Sequence, residues 1–228
     1  MFEQFKTRSY ELERLDTGDY TPAEYRRWEK EMFFIHRFFG EIRALRHSLA
    51  QDICDSGSKR GSVLDVGAGS GELLSQLAKT TLDIETYFVG LEIDGMAAKS
   101  IKARSIDAVQ ADALMLPFGD SSFDHSFCTL FLHHLSDENA VQLLREMARV
   151  ARKRIYCIDL NRDPTSYYTY KILGRIFLQK FTLEDGALSI LRSFTIDEMA
   201  ELAMDAGLTD IKVERSRLNR LILSARKK

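Results

Sequence analysis

Three glycines, three acids and a pair of histidines carry most of the chemistry legible in this chain. Val63 to Gly71 (V-L-D-V-G-A-G-S-G) is a buried-strand run that breaks into a glycine-rich turn, and a helix opens at Glu72. Val63, Leu64 and Val66 suit a strand covered on both faces. Gly67, Gly69 and Gly71 let the backbone turn sharply and approach a ligand where a Cβ would collide. The helix that follows adds unpaired N–H groups and a positive dipole end beside the turn. This reads as a nucleotide-binding loop, although a bare strand-to-helix turn uses glycine too. Dinucleotide loops carry glycine at the first, third and sixth positions. Counting from Gly67, the sixth is Glu72, an acid where a pyrophosphate would lie, and Asp65 stands just ahead of the turn. The spacing disfavours NAD or FAD and favours a ligand without phosphates.

Two further acids extend the pattern. Glu92 ends a second strand candidate (V-G-L-E-I) twenty-one residues past Gly71, where a carboxylate can accept both hydroxyls of a ribose; the plainer reading is a solvated loop acid. A third strand near 106–111 runs into Asp112 and Ala113, setting a carboxylate beside a backbone N–H. Together these can read the amino group and a ring nitrogen of adenine.

These residues resemble the class I S-adenosylmethionine (SAM) dependent methyltransferases. The resemblance rests on VLDVGAGSG, on Glu92 in G-L-E, and on Ala111 to Leu135, A-D-A-L-M-L-P-F-G-D-S-S-F-D-H-S-F-C-T-L-F-L-H-H-L, which is similar to the family's "D…LPF…SFD…HHL" segment. It implies that Asp65, Gly67, Ala68 and Gly69 surround the methionine part of SAM, Glu92 with Ile93 the ribose, and Asp112 with Ala113 the adenine. Thr129, Leu130 and Phe131 would line the sulfonium side. SAM is the implied cofactor, with S-adenosylhomocysteine (SAH) as product.

A narrower likeness covers most of the chain less specifically. Where many small-molecule members place K-P-G-G before the fifth strand, this sequence reads A-R-V-A-R-K-R-I-Y-C-I-D-L-N-R-D-P. With the N-terminal R-F-F-G segment, E-D-G-A-L-S-I-L-R-S-F-T and a closing R-L-I-L strand, it resembles the methyltransferases found beside bacterial type III polyketide synthases. The implied acceptor is a hydroxyl of a lipophilic phenolic or enolic small molecule, possibly a polyketide. A quinone-type C-methyltransferase and a non-catalytic protein that binds SAM or SAH are the alternatives.

For the reaction itself, His133 and His134 follow the fourth strand beside the inferred sulfonium site. An imidazole there can take a proton from a phenol or enol. Helix capping or loop packing accounts for either histidine equally, and an acidic enol needs no base. Asp159 and Arg162, at the exit of the fifth strand, either orient the acceptor or form a structural ion pair. Arg37 either reaches the cofactor carboxylate or snorkels over apolar neighbours.

Composition bounds the rest. With 228 residues, 45% hydrophobic, 29% charged and a net charge of −2, the chain has the make-up of an ordinary soluble domain without general attraction for nucleic acid or an anionic membrane. No N-P-P-Y-type motif for a flipped base follows the fourth strand, where the sequence reads T-L-F-L-H-H. Cys54, Cys128 and Cys157 lack metal-ligand spacing and read as reduced thiols, two of them in buried strands. No metal is expected. The opening M-F-E-Q-F-K-T-R has no apolar signal region, and no stretch reaches spanning length, so a cytoplasmic monomer or homodimer is expected.

The elements that must position these groups follow from pattern. A short helix is expected at Tyr10 to Leu15. Thr21-Pro22-Ala23-Glu24 starts a long one running to about Ile53, with Trp28, Met32, Ile35, Phe39, Ile42 and Leu49 along one face. Its extra aromatics either form a lid or pack the helix onto the domain. Beyond a polar break at 55–61, strands at 63–66, 87–92, 106–111, 123–130 and 155–160 alternate with helices at 72–79, 95–103 and 137–150. That period predicts an α/β fold, Rossmann-like, with a parallel sheet wrapped on both faces. A Thr195/Glu198 capping box starts a helix ended by Gly207, and strands at 210–215 and 219–225 would bring the sheet to seven. Residues 1–58 are expected to form an N-terminal helical cap on a domain at 59–228. Within it, 163–190 would be an inserted helical roof, rich in apolar residues and tyrosines such as Tyr167, above the strand ends where open sheets bind ligands.

Overall fold

The computed structural model describes residues 3–55, 57–80, 84–216 and 219–228, without the side chains of residues 29, 33 and 36–39. Seven strands form one sheet: β1 Arg60–Val66, β2 Glu85–Glu92, β3 Asp107–Gln110, β4 Phe123–Thr129, β5 Ala151–Leu160, β6 Leu208–Arg215 and β7 Arg220–Lys227. Their order is β3-β2-β1-β4-β5-β7-β6. The first five run parallel, and β7 is antiparallel to both β5 and β6. The helices are α1 Arg14–Thr17, α2 Pro22–Phe39, α3 Glu41–Leu45, α4 Gln51–Asp55, α5 Glu72–Thr80, α6 Gly95–Lys102, α7 Asp137–Val150, α8 Pro164–Phe177, α9 Lys180–Arg192 and α10 Ile196–Asp205. This is the expected Rossmann-like architecture.

Side-chain alternation explains the layers. Along β1, Val63 joins one core and Leu64 and Val66 the other; Phe127 and Cys128 on β4, and Tyr156 and Cys157 on β5, divide the same way. On one face lie α7 and α10, which bury Leu144, Met147, Met199 and Leu202. The other is covered by α3, the π-helical turn Arg46–Ala50, α4 and α5, through Leu45, Leu49, Ile53, Leu74 and Leu77. Cys128 and Cys157 are buried free thiols, and Cys54 is exposed.

Several helix starts form as their sequences dictate. Thr21 Oγ1 accepts from the Glu24 N–H at 3.2 Å while Glu24 returns to the Thr21 N–H at 2.8 Å. Thr195 with Glu198 repeats the box, and Ser136 caps α7. The helix expected to run unbroken to Ile53 is instead interrupted at Gly40, whose φ of 98° caps α2. Apolar spacing continues across the break, so periodicity alone reads through it. The expected Tyr10–Leu15 helix forms later and shorter, as α1. Residues 180–192, where sequence pattern gave no separate helix, form α9. Among the described residues no helix is long and apolar enough to cross a membrane.

One consequence of the strand order concerns position. From β1 the chain moves outward through β2 and β3, then returns to add β4 and β5 on the other side. The crossovers therefore diverge between β1 and β4, leaving a crevice at the carboxyl ends of those two strands.

Candidate active site

The glycine-rich turn leaves β1 into this crevice. Gly67, Gly69 and Gly71 all have left-handed backbone, with φ of 72°, 53° and 75°. A Cβ on Gly67 would meet the Phe131 ring at 3.0 Å, so neither the backbone nor the space admits a side chain. The Gly67 and Ala68 N–H groups donate to the Leu91 carbonyl at 2.9 and 3.0 Å, pinning the turn to β2.

Acids mark the ends of three adjacent strands. Asp65 is buried at the end of β1; burial first, and then the charge of Glu92, pushes its carboxyl well above the usual range. A cation placed here would return it to the charged form. Glu92 Oε2 accepts the Gly69 N–H at 2.9 Å and Oε1 accepts the Ile93 N–H at 2.9 Å, so the carboxylate is fixed against the turn. Asp112, two residues past β3, is exposed and accepts the Leu114 N–H at 2.8 Å, beside buried Ala113.

A cavity of about 1080 Å³ opens from the turn. Asp65, Gly67, Ala68, Gly69, Thr129 and Leu130 line one end. Leu130 holds a left-handed φ of 51°, an uncommon conformation for a leucine, which bends the chain out of β4. Thr129 Oγ1 is buried without a hydrogen-bond partner among the described residues, as a group awaiting a ligand would be. The far end is apolar, walled by Trp28, Met32, Ile35, Leu173, Phe177 and Leu178 from α2 and the α8–α9 region. Pockets for one drug-sized ligand run to roughly 300–1000 Å³, so this cavity lies at the top of that range.

His133 and His134 sit between the two ends, in a short 3-10 turn at Leu132–His134, and both line the cavity. Asp159 stands behind His133: Oδ1 lies 2.7 Å from the ring Nδ1, and Oδ2 accepts the His133 backbone N–H at 3.1 Å. Burial acts to raise the Asp159 carboxyl, but the His133 ring and the N–H donors outweigh it and hold it below the ordinary range. With Nδ1 committed to a carboxylate, Nε2 is the nitrogen left for other chemistry.

Pattern reading missed the group that holds this turn. Arg192 of α9 donates to the His133 and His134 carbonyls at 3.3 and 3.1 Å and to Asp16 at 2.6 Å. Arg8 donates to the His133 and Leu135 carbonyls, pairs with Asp137 and lies over the Phe194 ring. His134 Nδ1 lies 3.4 Å from Asp16; the His134 contact first, and then Arg192, hold that carboxyl far below its usual range. Buried Glu13, whose carboxyl burial pushes up, accepts from Ser189 Oγ at 2.8 Å. Glu13, His133 and His134 bring ligand-type atoms within 4.8 Å of one another. The Arg192 guanidinium, 3.8 Å from Glu13, already supplies that cluster with a fixed positive charge.

The remaining sequence candidates divide. Phe131 packs over Gly67, and Asp159 serves His133 from behind. The fold does not bring Arg162 or Tyr167 to the cavity, and Glu92, Ile93, Asp112 and Ala113 are not among its lining residues either. Arg162 is buried, donating to the Phe5 and Ser193 carbonyls and pairing with Glu198, which is the structural role its sequence position also allowed. Tyr167 is buried edge-on against Phe5. Arg37 lies outside the described residues, as do the Phe33, Phe38 and Phe39 side chains.

The family profile described as "Methyltransferase domain" matches residues 64–158. The chain is 30% identical over 176 residues to the chloroplastic 2-phytyl-1,4-beta-naphthoquinone methyltransferase of Arabidopsis thaliana, covering 68% of this chain and 67% of that one. It is 25% identical to a demethylmenaquinone methyltransferase of Shouchella clausii, over 67% of this chain and 72% of the other. Among solved structures it is similar to the magnesium protoporphyrin IX methyltransferase of Synechocystis with bound SAH, at a TM-score of 0.59 and 17% identity, covering 83% of this chain and 84% of that one.

Proposed function

Because this chain belongs to the class I SAM-dependent methyltransferases, we propose that it methylates a hydroxyl of a lipophilic phenolic or enolic small molecule, a polyketide product among the candidates. The observation that carries the reading is the cavity: it is lined by the glycine turn, by apolar side chains of α2 and α8, and by His133, which Asp159 backs.

When bound, SAM supplies a methyl group already activated by its sulfonium. The polypeptide's work is to place the acceptor in line with that methyl and to keep water out. In this proposal Asp65, Gly67, Ala68 and Gly69 hold the methionine part, where the raised Asp65 carboxyl regains its charge against the amino acid ammonium. Glu92 with Ile93 takes the ribose, Asp112 with Ala113 the adenine, and Thr129 with Leu130 borders the sulfonium. His133 receives the acceptor proton at Nε2 while Asp159 stabilises the imidazolium that results. His134, tied to Asp16, positions that turn. Residues 1–58 and 163–190 serve as cap and roof over a methyltransferase domain at 59–228.

A second reading is favoured by the relatives, whose names describe naphthoquinone and demethylmenaquinone methyltransferases: methyl transfer to a ring carbon of a quinol. The same histidine serves there, since removing a phenolic proton raises electron density on the ring. Incubating the protein and methyl-tritiated SAM with an extract of the source organism, then identifying the labelled product, tests both. Label in the organic phase, in an acid- and base-stable methyl ether, is the expected result. A carbon-bound methyl would select the second reading, and label only in protein or nucleic acid would overturn the acceptor class.

A further inference from the structure

We propose that the outer face of α8 docks on an anionic lipid surface, so that a lipophilic acceptor reaches the cavity from a bilayer. This rests on the acceptor class proposed above and adds where that acceptor is collected.

Helical periodicity separates two faces of α8. Tyr170, Gly174 and Leu178 recur toward α9: the Tyr170 hydroxyl donates to the Thr182 carbonyl at 2.7 Å, and a Cβ on Gly174 would meet Leu183 at 2.6 Å. Ile172 and Ile176 lie opposite, and Leu173 and Phe177 lie on the flank between the two faces; in chain order Ile172, Leu173, Ile176 and Phe177 are 63%, 49%, 69% and 72% exposed. Single exposed apolar residues are ordinary, but four at adjoining positions of one helix form a contiguous patch of the kind that marks an interaction site.

Charge points to the occupant. Residues 164–183 contain Lys171, Arg175 and Lys180 and no acidic residue, in a chain whose net charge is −2, although Lys180 lies 3.7 Å from Glu184 just beyond that span. An apolar stripe flanked by bases is the pattern of a helix lying in a lipid interface, with anionic headgroups meeting the bases. A two-fold contact with a second copy would set the same three bases against themselves, which disfavours a homodimer through this face. Position adds a reason: Leu173 and Phe177 belong both to the patch and to the cavity wall, so the docking face borders the cavity. An acceptor with a long apolar tail could then enter without crossing water.

Ile172 and Ile176 do not line the cavity, which makes them the residues to change. The intact chain would be co-sedimented with vesicles of phosphatidylcholine alone and of phosphatidylcholine with roughly 30% phosphatidylglycerol. Partition onto the anionic vesicles is expected, falling with salt, at least about tenfold weaker for the Ile172→Ser/Ile176→Ser double variant and several-fold weaker for Arg175→Gln/Lys180→Gln. SAM affinity measured on the same samples should not change, which excludes a folding defect. Absence of partition by a chain that binds SAM would overturn the proposal, as would partition indifferent to both variants. Sedimentation without vesicles covers the remaining occupant: a dimer dissociated by the isoleucine changes would assign the face to a second copy and overturn it as well. Because no acceptor is present, failure here leaves the proposed acceptor class standing.

Discussion

At the residue scale, the turn and its acids are local in sequence and were therefore legible. Three glycines within five residues read as a sharp turn, and all three adopt the left-handed backbone that reading requires. Glu92 was legible as a strand-end carboxylate, and its hold on the Gly69 N–H explains how a residue of β2 reaches the loop of β1. Replacing Glu92 with Ala should weaken SAM binding by more than about tenfold in titration calorimetry, since a charge-assisted contact to ribose and the anchor of Gly69 are lost together; unchanged affinity would remove the ribose assignment. The His133→Ala variant should lose on the order of 10²–10⁴ in turnover with cofactor affinity nearly intact. Asp159→Asn should follow it in the same direction. Equal turnover in both variants and the parent would end the general-base reading. What sequence could not offer was the company those histidines keep: Glu13, Asp16 and Arg192 arrive from segments more than fifty residues away, and only the folded chain sets Arg192 on the His133 carbonyl.

Elements tell a different story, because the strongest local signals were sometimes the misleading ones. Gly186 lies inside α9, where glycine is a poor helix former. Its lack of a side chain is what admits the Tyr170 phenol, for a methyl on Gly186 would land within that ring. Gly40 shows the converse, ending α2 where apolar spacing alone would carry the helix onward. The α8–α9 contact supplies its own test. Alanine at Gly174 meets the flexible ends of Leu183 and Leu178, and the gain in helix propensity of about 1 kcal/mol should offset most of the crowding. At Gly186 the added methyl must expel a phenol hydrogen-bonded to the Thr182 carbonyl, at a net cost of about 1–3 kcal/mol. Thermal melts should therefore place Gly186→Ala roughly 2–10 °C below the parent and Gly174→Ala close to it. Equal melting temperatures for the two variants would mean that the helices do not pack through the Tyr170 contact.

For the whole molecule, the sheet was predictable because alternating strands and helices with doubly buried strands leave few arrangements, whereas the polar groups trapped inside it were not. His125 is the clearest of these. It lies on β4 between β1 and β5, buried, and burial together with Lys153 drives its imidazole from 6.5 down to about 4. A folded state that resists protonation while the unfolded chain accepts it must lose stability as pH falls from about 6.5 to about 4. Above that window both states are neutral, and His125 contributes no pH dependence. Asp65 has the opposite slope: its raised carboxyl lets the folded state take a proton first, so stability falls as pH rises through its folded value. The two can be separated by substitution. Urea unfolding of a His125→Leu variant across pH 4–7 should show a shallower acid loss than the parent, the difference reaching on the order of 2–3 kcal/mol near pH 4 and vanishing near pH 7 after a constant offset is removed. Saturating SAM, by contrast, should act on Asp65: a cation against that carboxyl lowers its proton affinity in the folded state, so the ligand's stabilisation should grow from pH 5 to pH 7 in both proteins. If the two unfolding curves run parallel at every pH, the acid limb belongs to the surface carboxylates and not to the histidine at the centre of the sheet.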